Sequence, residues 1–387
     1  MEVKQIYTMM NDITKEIIGS TNLVKEDLSN ITDVGKEILG KTDVDNYVKS
    51  LVNHIGKVVF TNRPYSGSVP SVLMDAWEFG SILEKVSSDL PEAVENESYN
   101  LEDKKDYSPN IFYKPSVSAK FFNKKVTFEI DVSFTEYQVK ESFSNAEQLN
   151  GFISMLLNNV DKAMTVKIDS LIMRTINNMI AETISSEFKS VTDNDYSKSS
   201  GIKAVNLLKD YNAKFSKTLT TDTCLQDREF IKYCVYVMGL YTDRLSKMST
   251  LFNVGGKERF TPKDNLHIVL LTDYASSTMA YLESDTYHNE MVKLPTYETV
   301  PYWQGTGKDY GFDSISRINV TSSSGKDIAM SGIIGVMFDS EALGVSNLNK
   351  RVTTNYNAKA DFFNNFYKFD AGYFNDLNEN FVVFFVA

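Results

Sequence analysis

Reactive side chains are scarce in this chain of 387 residues. It contains two cysteines, Cys224 and Cys234, and three histidines, His54, His267 and His288. Two cysteines cannot make a disulfide framework, so a reducing compartment is expected. Neither residue type recurs at the spacing of a zinc site, and we predict no metal ligands. We expect His267, which lies inside an apolar run, and both cysteines to pack in a core.

Long apolar runs are absent as well. No stretch approaches the roughly 20 apolar residues that a membrane-spanning helix requires, and the run from Phe381 to Ala387 is far too short. The first residues, "MEVKQIYTMMNDITKEIIG", lack the basic segment, apolar block and cleavage site of a secretory signal. We therefore expect neither membrane association nor secretion.

Positive charge is in deficit, since 40 Lys and Arg face 51 Asp and Glu, for a formal net charge of −11. Proteins that grip nucleic acid through its phosphates need a basic surface, so sequence-specific or tight DNA binding is not expected. The same balance suits a protein that stands next to nucleic acid without adhering to it. Length and an ordinary apolar content of 42% predict a folded protein of two or three structural units.

The glycine-rich stretches match no phosphate-binding motif. "NVGGKERF" (Asn253 to Phe260) and "SSSGKDI" (Ser322 to Ile328) lack the first glycine and the Ser/Thr of a P-loop. "GTGKDYG" (Gly305 to Gly311) has the wrong last spacing for a dinucleotide fingerprint. "DNDYSKSSG" (Asp193 to Gly201) places Lys198 where a calcium loop needs glycine. With no nucleophile–base motif either, we predict no catalytic, cofactor-binding or metal-binding residues, no cofactor and no enzymatic activity.

What is present begins with short amphipathic helical patterns in the first sixty residues. They run from Ile6 to Ile17, from Leu23 to Leu39 and from Val44 to Ile55, with glycines between the first two and after the second. Such short helices are marginal alone, so this segment is predicted to be an arm that lies on something else.

Two runs with a period of two follow, on either side of a short polar connection. The first is Tyr113 to Phe121 and the second is Val126 to Phe134, and "FNKK" links them. This pattern predicts an extended antiparallel hairpin whose arms each reach on the order of 30 Å. Because an isolated two-stranded hairpin is marginal in water, its apolar face must rest on the rest of the chain or on another copy.

A very long helix is predicted next. Ser144 and Glu147 form a capping box, and apolar residues then hold one helical face from Leu149 to Phe188 without a proline. At 1.5 Å per residue this helix would be roughly 60 Å long. Lys167 interrupts the heptad seam, which favours a helix lying against a sheet over a coiled coil.

A compact unit with mixed helices and strands is predicted after Gly201. Helical patterns cover Ile202 to Tyr211 and Phe230 to Phe252. A buried strand, a turn and a helix are predicted over Asn265 to Leu282, and another buried strand over Gly332 to Asp339.

The closing segment returns to a period of two, with one face running from Thr354 to Phe362. Turns are predicted at Ala371-Gly372 and at Leu377 to Asn380, followed by an apolar strand from Phe381 to Val386.

This order of parts resembles the major capsid proteins of tailed bacteriophages, the Hong Kong 97-type capsid fold shared with herpesviruses. "AWEFGSILEKVSSDLPEAVENESYN", from Ala76, and the closing segment from Leu348 resemble the capsid proteins of small short-tailed phages of Gram-positive hosts. The resemblance covers nearly the whole chain and rests on the order of elements and the general character of the sequence.

The resemblance implies an α+β fold with an N-terminal arm, an extended β-hairpin called the E-loop, a long spine helix, a peripheral-domain sheet and a compact axial domain. The implied boundaries are 1–62 for the arm, 63–143 for the segment with the E-loop, 144–200 for the spine helix, 201–345 for the axial domain and 346–387 for the returning peripheral-domain strands. The last of these strands, Phe381 to Ala387, would be covered by the long helix.

The implied function is structural. Many copies would close as hexamers and pentamers into an icosahedral head that encloses double-stranded DNA without sequence-specific binding. The protein would be part of the virion, assembled in the cytoplasm of the host bacterium, with a portal protein and a scaffolding protein as further partners.

Some relatives crosslink an E-loop lysine to an asparagine. Lys120, Lys124 and Lys125 lie near the predicted hairpin tip, but no pattern identifies a partner, and we predict no crosslinking.

Two alternatives remain open at the level of sequence. One is the shell protein of an encapsulin-type compartment, which shares the resembled fold. The other is a nucleotide-dependent enzyme built on the unit at 201–345, against which the missing phosphate loop argues.

Overall fold

The computed structural model describes residues 69–74, 83–88, most of 90–107, 110–135 apart from 111 and 115, 146–282, 296–305 and 316–387, together with positions 11 and 137. The helical patterns of the arm and the Ser144 end of the capping box lie outside these residues. The chain divides into two compact units. The first takes Met1–Glu78, Lys125–Ile172 and Val345–Gly372, and the second takes Phe79–Lys124, Met173–Gly344 and Tyr373–Ala387.

Both units contain strands and helical residues, whose bounds within the described residues are as follows. The helices are α1 Ala146–Glu187, α2 Leu207–Phe215, α3 Arg228–Leu245 and α4 Thr272–Leu282. The strands are β1 Leu73–Met74, β2 Leu83–Ser88, β3 Val117–Phe122, β4 Lys125–Thr135, β5 Ala204–Asn206, β6 Leu266–Leu271, β7 Glu298–Val300, β8 Gln304–Gly305, β9 Arg317–Thr321, β10 Asp327–Ser331, β11 Ile333–Asp339, β12 Leu343–Asn357, β13 Phe362–Asn375 and β14 Phe381–Phe385. The predicted α+β class is confirmed.

The first unit contains a four-stranded sheet in the order β1-β12-β13-β4. Strands β4 and β13 pair antiparallel from Lys125↔Gly372 to Thr135↔Phe362. Apolar side chains on the buried face of this ladder meet in cross-strand aromatic pairs, which stabilise the register. The Phe128 and Phe369 rings lie 5.1 Å apart, and the Phe134 and Phe363 rings lie 5.7 Å apart.

The long helix is confirmed as α1, an uninterrupted helix of 42 residues. It contributes residues to both units, with the boundary at Ile172. Its buried apolar side chains recur at helical spacing, as the pattern predicted. They include Val160, Met164, Ile168, Leu171, Ile172, Ile176, Met179, Ile180 and Ile184. Two buried hydroxyls on the same helix donate to the carbonyl four residues earlier, Ser170 to Val166 at 2.7 Å and Thr183 to Met179 at 2.8 Å, so both have a hydrogen-bond partner.

The second unit is built on a five-stranded sheet in the order β5-β14-β11-β6-β7. Every residue of β11 and of β14 is buried, which explains their continuous apolar sequences. Both α2 and α3 begin at capping side chains, because Asn206 accepts from the Lys209 amide and Asp227 from the Phe230 amide. The predicted strand at 332–339 and the strand–helix pair at 265–282 are confirmed.

The predicted pairing of the extended hairpin is wrong. The second run is a strand and the first is a strand only from Val117, but β3 pairs antiparallel with β2, and β4 pairs with β13. A period of two identifies a strand and its faces but does not identify its partner. The connection Asn123-Lys124 also lacks the glycine that a tight two-residue hairpin turn favours, and the chain passes from one sheet to the other there.

The position predicted for the last strand is also wrong. Phe381–Phe385 is the buried strand expected, but it pairs with β11 and β5 in the five-stranded sheet instead of joining the long returning strands. The turn predicted at Ala371-Gly372 is absent because β13 continues through both residues, where Gly372 pairs with Lys125. The turn predicted at Leu377 to Asn380 is confirmed, and it carries the chain into β14.

The packing predicted for the histidine and the two cysteines is confirmed. The His267 ring stacks on Phe338 at 5.7 Å, and burial lowers its pKa below the ordinary value. Both Cys224 and Cys234 are buried and free. Burial raises the pKa of Cys224 to about 11, so its thiol stays protonated at neutral pH and is a poor nucleophile.

Substitution of Gly332 by alanine is expected to destabilise the second unit. Gly332 adopts φ +78°, and an added Cβ would collide with the carbonyl oxygen of Val386 beside β14. We expect Gly332→Ala to lower the free energy of unfolding by about 2 kcal/mol or more. The matched control is Gly239→Ala inside α3, where nothing lies within 4 Å of the added atom and a gain of up to about 1 kcal/mol is expected. Urea denaturation of both variants checks the contrast, and equal losses would contradict it.

Candidate assembly surface

A two-stranded ribbon in the second unit is the candidate surface for assembly. Strands β2 and β3 pair antiparallel from Leu83↔Phe122 to Ser88↔Val117, and residues 89–116 connect their far ends. At the near end the Phe122 and Phe374 rings lie 5.1 Å apart. The ribbon belongs to a separate two-stranded sheet, so it shares no strand pairing with the five-stranded sheet.

The ribbon is inverted, in the sense that most of its polar side chains face the body of the unit and most of its apolar side chains face solvent. The half-buried face carries Leu83 and Phe122 at the near end and polar side chains beyond them, where the Ser87 and Ser118 hydroxyls share a hydrogen bond of 3.0 Å. The opposite face is exposed. Beside the polar Glu84 and Ser88 it carries three large apolar side chains, Val86 and Val117, each 62% accessible, and Phe121, 64% accessible. We call this exposed set, with Ala119, the outer face. An apolar face turned to solvent is a surface that a partner is expected to cover.

The connection beyond the strands is also apolar and exposed. Among its described residues, the most accessible large apolar side chains are Phe112 at 85% and Tyr113 at 82%. Leu90, Val94, Leu101 and Tyr107 are exposed as well. A segment with this many unburied apolar side chains gains little from folding onto its own unit, so its contacts are expected to come from another molecule.

A group of ion pairs joins the inner face of the ribbon to the body of the second unit. The Lys85 Nζ lies 2.8 Å from Glu379 Oε1, 3.3 Å from Asp376 Oδ2 and 3.0 Å from the carboxylate of the exposed Glu341. The Lys120 Nζ lies 2.8 Å from Asp376 Oδ1. We call Lys85, Lys120, Asp376 and Glu379 the ionic anchor.

The two acidic members of the anchor are fixed by the turn before β14. The Asn378 amide donates to Asp376 Oδ1 at 3.0 Å, and the Glu379 amide donates to the Asp376 carbonyl at 3.2 Å. Arg259 adds a second cation, with its Nε 3.1 Å from Glu379 Oε1. Their side chains are nearly inaccessible, at 2% for Asp376 and 7% for Glu379. Buried carboxylates need such partners, because an unpaired buried charge is costly.

The anchor favours the charged forms of Asp376 and Lys85. Burial raises the pKa of Asp376, but the hydrogen bond from Lys120, the Asn378 amide and the nearby lysine charges outweigh it and hold the pKa below its ordinary value. Burial lowers the pKa of Lys85, but the hydrogen bond and charge of Glu379, with Glu341 and Asp376, outweigh it and raise the pKa. The stabilisation from Asp376 is therefore lost only as pH falls through its lowered pKa, and that from Lys85 only as pH rises through its raised pKa.

Sequence reasoning missed the anchor. Of the three lysines considered for a crosslink, the structure places Lys120 on Asp376, whereas the Lys124 carbonyl accepts from the Tyr373 amide and Lys125 opens β4. The pairing partners lie more than 250 residues apart. The one usable signal was the alternation that puts Lys120 on the face opposite Phe121, and it carries no information on the partner acids.

The described residues hold neither a candidate metal-binding group nor a candidate membrane-spanning helix. No group of three or more His, Cys, Asp or Glu side chains in this part of the chain is arranged to hold a metal ion. None of the described helices combines the length and apolar character needed to cross a membrane.

Comparison with known proteins finds similar capsid structures and a matching protein family. The solved capsid structure of Staphylococcus phage Andhra is similar with a TM-score of 0.52 at 10% identity, over 84% of this chain and 86% of that chain. The capsid structure of the cyanophage P-SCSP1u is similar with a TM-score of 0.47 at 10% identity, over 84% and 90% of the two chains. A search of curated protein sequences finds no match. The model of the Phi29-like phage major capsid protein family matches residues 8–385. Because that match spans almost the entire chain, the protein belongs to the Phi29-like phage major capsid protein family.

Proposed function

We propose that the β2–β3 ribbon and its connection are the E-loop of this capsid protein and that the outer face docks on a neighbouring copy. The protein is a structural component of a capsid shell, in which many copies assemble. The observation that carries the proposal is the inverted ribbon, whose apolar face is exposed in the single chain. Exposing such an apolar surface to water is unfavourable in free energy. A second copy that covers the surface removes this unfavourable term.

The shell is proposed to form from hexamers and pentamers that close into an icosahedral head around double-stranded DNA. The formal net charge of −11 supports this role, because a container for DNA must not adhere strongly to its contents. The resemblance to tailed-phage capsid proteins further supports a portal protein and a scaffolding protein as partners, and assembly in the cytoplasm of the host bacterium. The role is proposed to be purely structural.

Neither alternative raised by the sequence gains support. The family match is to a phage capsid protein, so nothing favours an encapsulin-type compartment. A nucleotide-dependent enzyme on the unit at 201–345 has no observation in its favour either, since the sequence stretches around Gly255, Gly305 and Gly325 match no phosphate-binding motif.

Electron microscopy of the expressed protein tests the proposed function. The chain should form closed polyhedral shells or ring-shaped capsomers, either alone or with a co-expressed scaffolding protein. Size-exclusion chromatography coupled to light scattering should show these assemblies growing with protein concentration. A monodisperse monomer that stays monomeric at high concentration under both conditions would overturn the proposal.

A further inference from the structure

The ribbon turns toward solvent the face that the hydrophobic effect alone would bury. Burial of apolar surface favours turning Val86, Val117 and Phe121 toward the body of the unit, yet these side chains point to solvent. The face that meets the body instead carries Lys85 and Lys120. Besides the contact of Phe122 with Phe374 at the near end, another interaction must therefore hold the ribbon in this orientation.

The two lysines are direct cross-strand partners in the β2–β3 register. Like charges directly opposite one another destabilise an antiparallel pair, so this ribbon is poorly suited to form by itself. Asp376 resolves the conflict because its two carboxylate oxygens reach both lysines, at 2.8 Å from Lys120 and 3.3 Å from Lys85. Glu379 adds a second carboxylate 2.8 Å from Lys85.

Hydrogen bonds with the body of the unit hold the turn that carries the acidic side of this arrangement. Asp376 and Glu379 lie on the turn that leads into β14, and the Gly255 amide donates to the Leu377 carbonyl of that turn at 2.7 Å. Asn380 at the end of the turn donates to the Thr261 hydroxyl at 3.1 Å. The lysines of the ribbon are thus paired with carboxylates whose positions the body of the unit determines.

From this geometry we infer that Lys85, Lys120, Asp376 and Glu379 are positioning residues for assembly, which decide which face of the ribbon is offered to the next copy. The inference rests on the proposed function, since it concerns the ribbon as the assembly element. The anchor does not itself contact the neighbouring copy. It holds the ribbon with its lysine face inward, and the outer face is then available at one defined place on the unit. Without the anchor the ribbon is free to turn its apolar side chains onto its own body, and regular shells should fail.

The test replaces the lysines by side chains of similar length with and without charge. The variant K85M/K120M removes both charges, and K85R/K120R keeps them as the matched control. A second, isosteric variant, Asp376→Asn, removes the carboxylate that reaches both lysines. Amide hydrogen exchange of the unassembled protein should become about tenfold faster in β2 and β3 for K85M/K120M and Asp376→Asn, while exchange in β11 and β14 is unchanged. Electron microscopy should show irregular or open assemblies for these two and regular shells for K85R/K120R.

The outcomes separate this inference from the proposed function. If wild-type protein makes no shells, the proposed function fails. The amide hydrogen exchange of β2 and β3 in the unassembled variants still tests whether the ionic anchor holds the ribbon. If wild-type protein makes shells and K85M/K120M makes the same shells with unchanged exchange in β2 and β3, the anchor inference is overturned while the proposed function stands. Uniformly faster exchange across β11 and β14 would also contradict it, because the lysines would then support the fold in general and not the ribbon.

Discussion

Removal of Phe381 to Ala387 is expected to leave the second unit unfolded. Strand β14 lies between β5 and β11 in the five-stranded sheet, and all five of its residues are buried. At about 1.5–3 kcal/mol for each buried apolar side chain, its three phenylalanines and two valines contribute roughly 10 kcal/mol. That is comparable to the entire stability of about 5–15 kcal/mol that a typical domain has. Deletion also exposes the edges of β5 and β11, which invites aggregation.

The deletion is checked by circular dichroism, urea denaturation and limited proteolysis of the truncated chain. We expect no cooperative unfolding transition, rapid cleavage within 201–345 and no shells. The control removes Ala387 alone, which is only partly buried and lies outside β14, and it should fold and assemble. Normal shells from the chain without Phe381 to Ala387 would contradict the assignment of β14 as a central element of the fold.

Replacing the apolar side chains of the outer face is expected to abolish assembly without affecting folding. In the variant Val86→Thr with Phe121→Thr, both positions keep residues suited to strands, and both side chains are exposed. The free energy of unfolding should therefore change by no more than about 0.5 kcal/mol for each position. If each side chain contributes about 1.5 kcal/mol at the contact with a neighbouring copy, each contact weakens by a factor on the order of a hundred.

Light scattering as a function of concentration measures this effect as a rise in the concentration at which assembly begins. Because every copy makes the same contact, the loss is repeated throughout the shell, and we expect no shells at concentrations where the wild type assembles fully. The control is Ile202→Thr, a β-branched and exposed residue of the second unit outside the ribbon, which should assemble as the wild type does. An unchanged onset of assembly for the outer-face variant would mean that the ribbon is not the contact.

These two predictions depend on different levels of the structure. The buried strand at Phe381 could be predicted from its apolar run, but the sheet to which it belongs could not. Its partners β5 and β11 are separated from it by long stretches of chain, and a run of apolar residues on both faces matches any buried sheet. The outer face follows from an alternation visible in the sequence, yet alternation alone suggests that its apolar side is the buried one. Only the structure shows the reverse.

Features that depend on neighbouring residues could be predicted from the amino-acid sequence. Helix α1, the strand–helix pair from Leu266 to Leu282 and the turn before β14 follow from periodicity, caps and turn residues, which act over a few positions. The scarcity of cysteine, histidine and basic charge likewise pointed away from metal chemistry and tight DNA binding. Tertiary structure alone decided the partners of β3 and β4 and the meeting of Lys85 and Lys120 with Asp376. Strand pairing and ion pairing depend on distances in space, and local sequence patterns carry no information about which distant segment will arrive beside them.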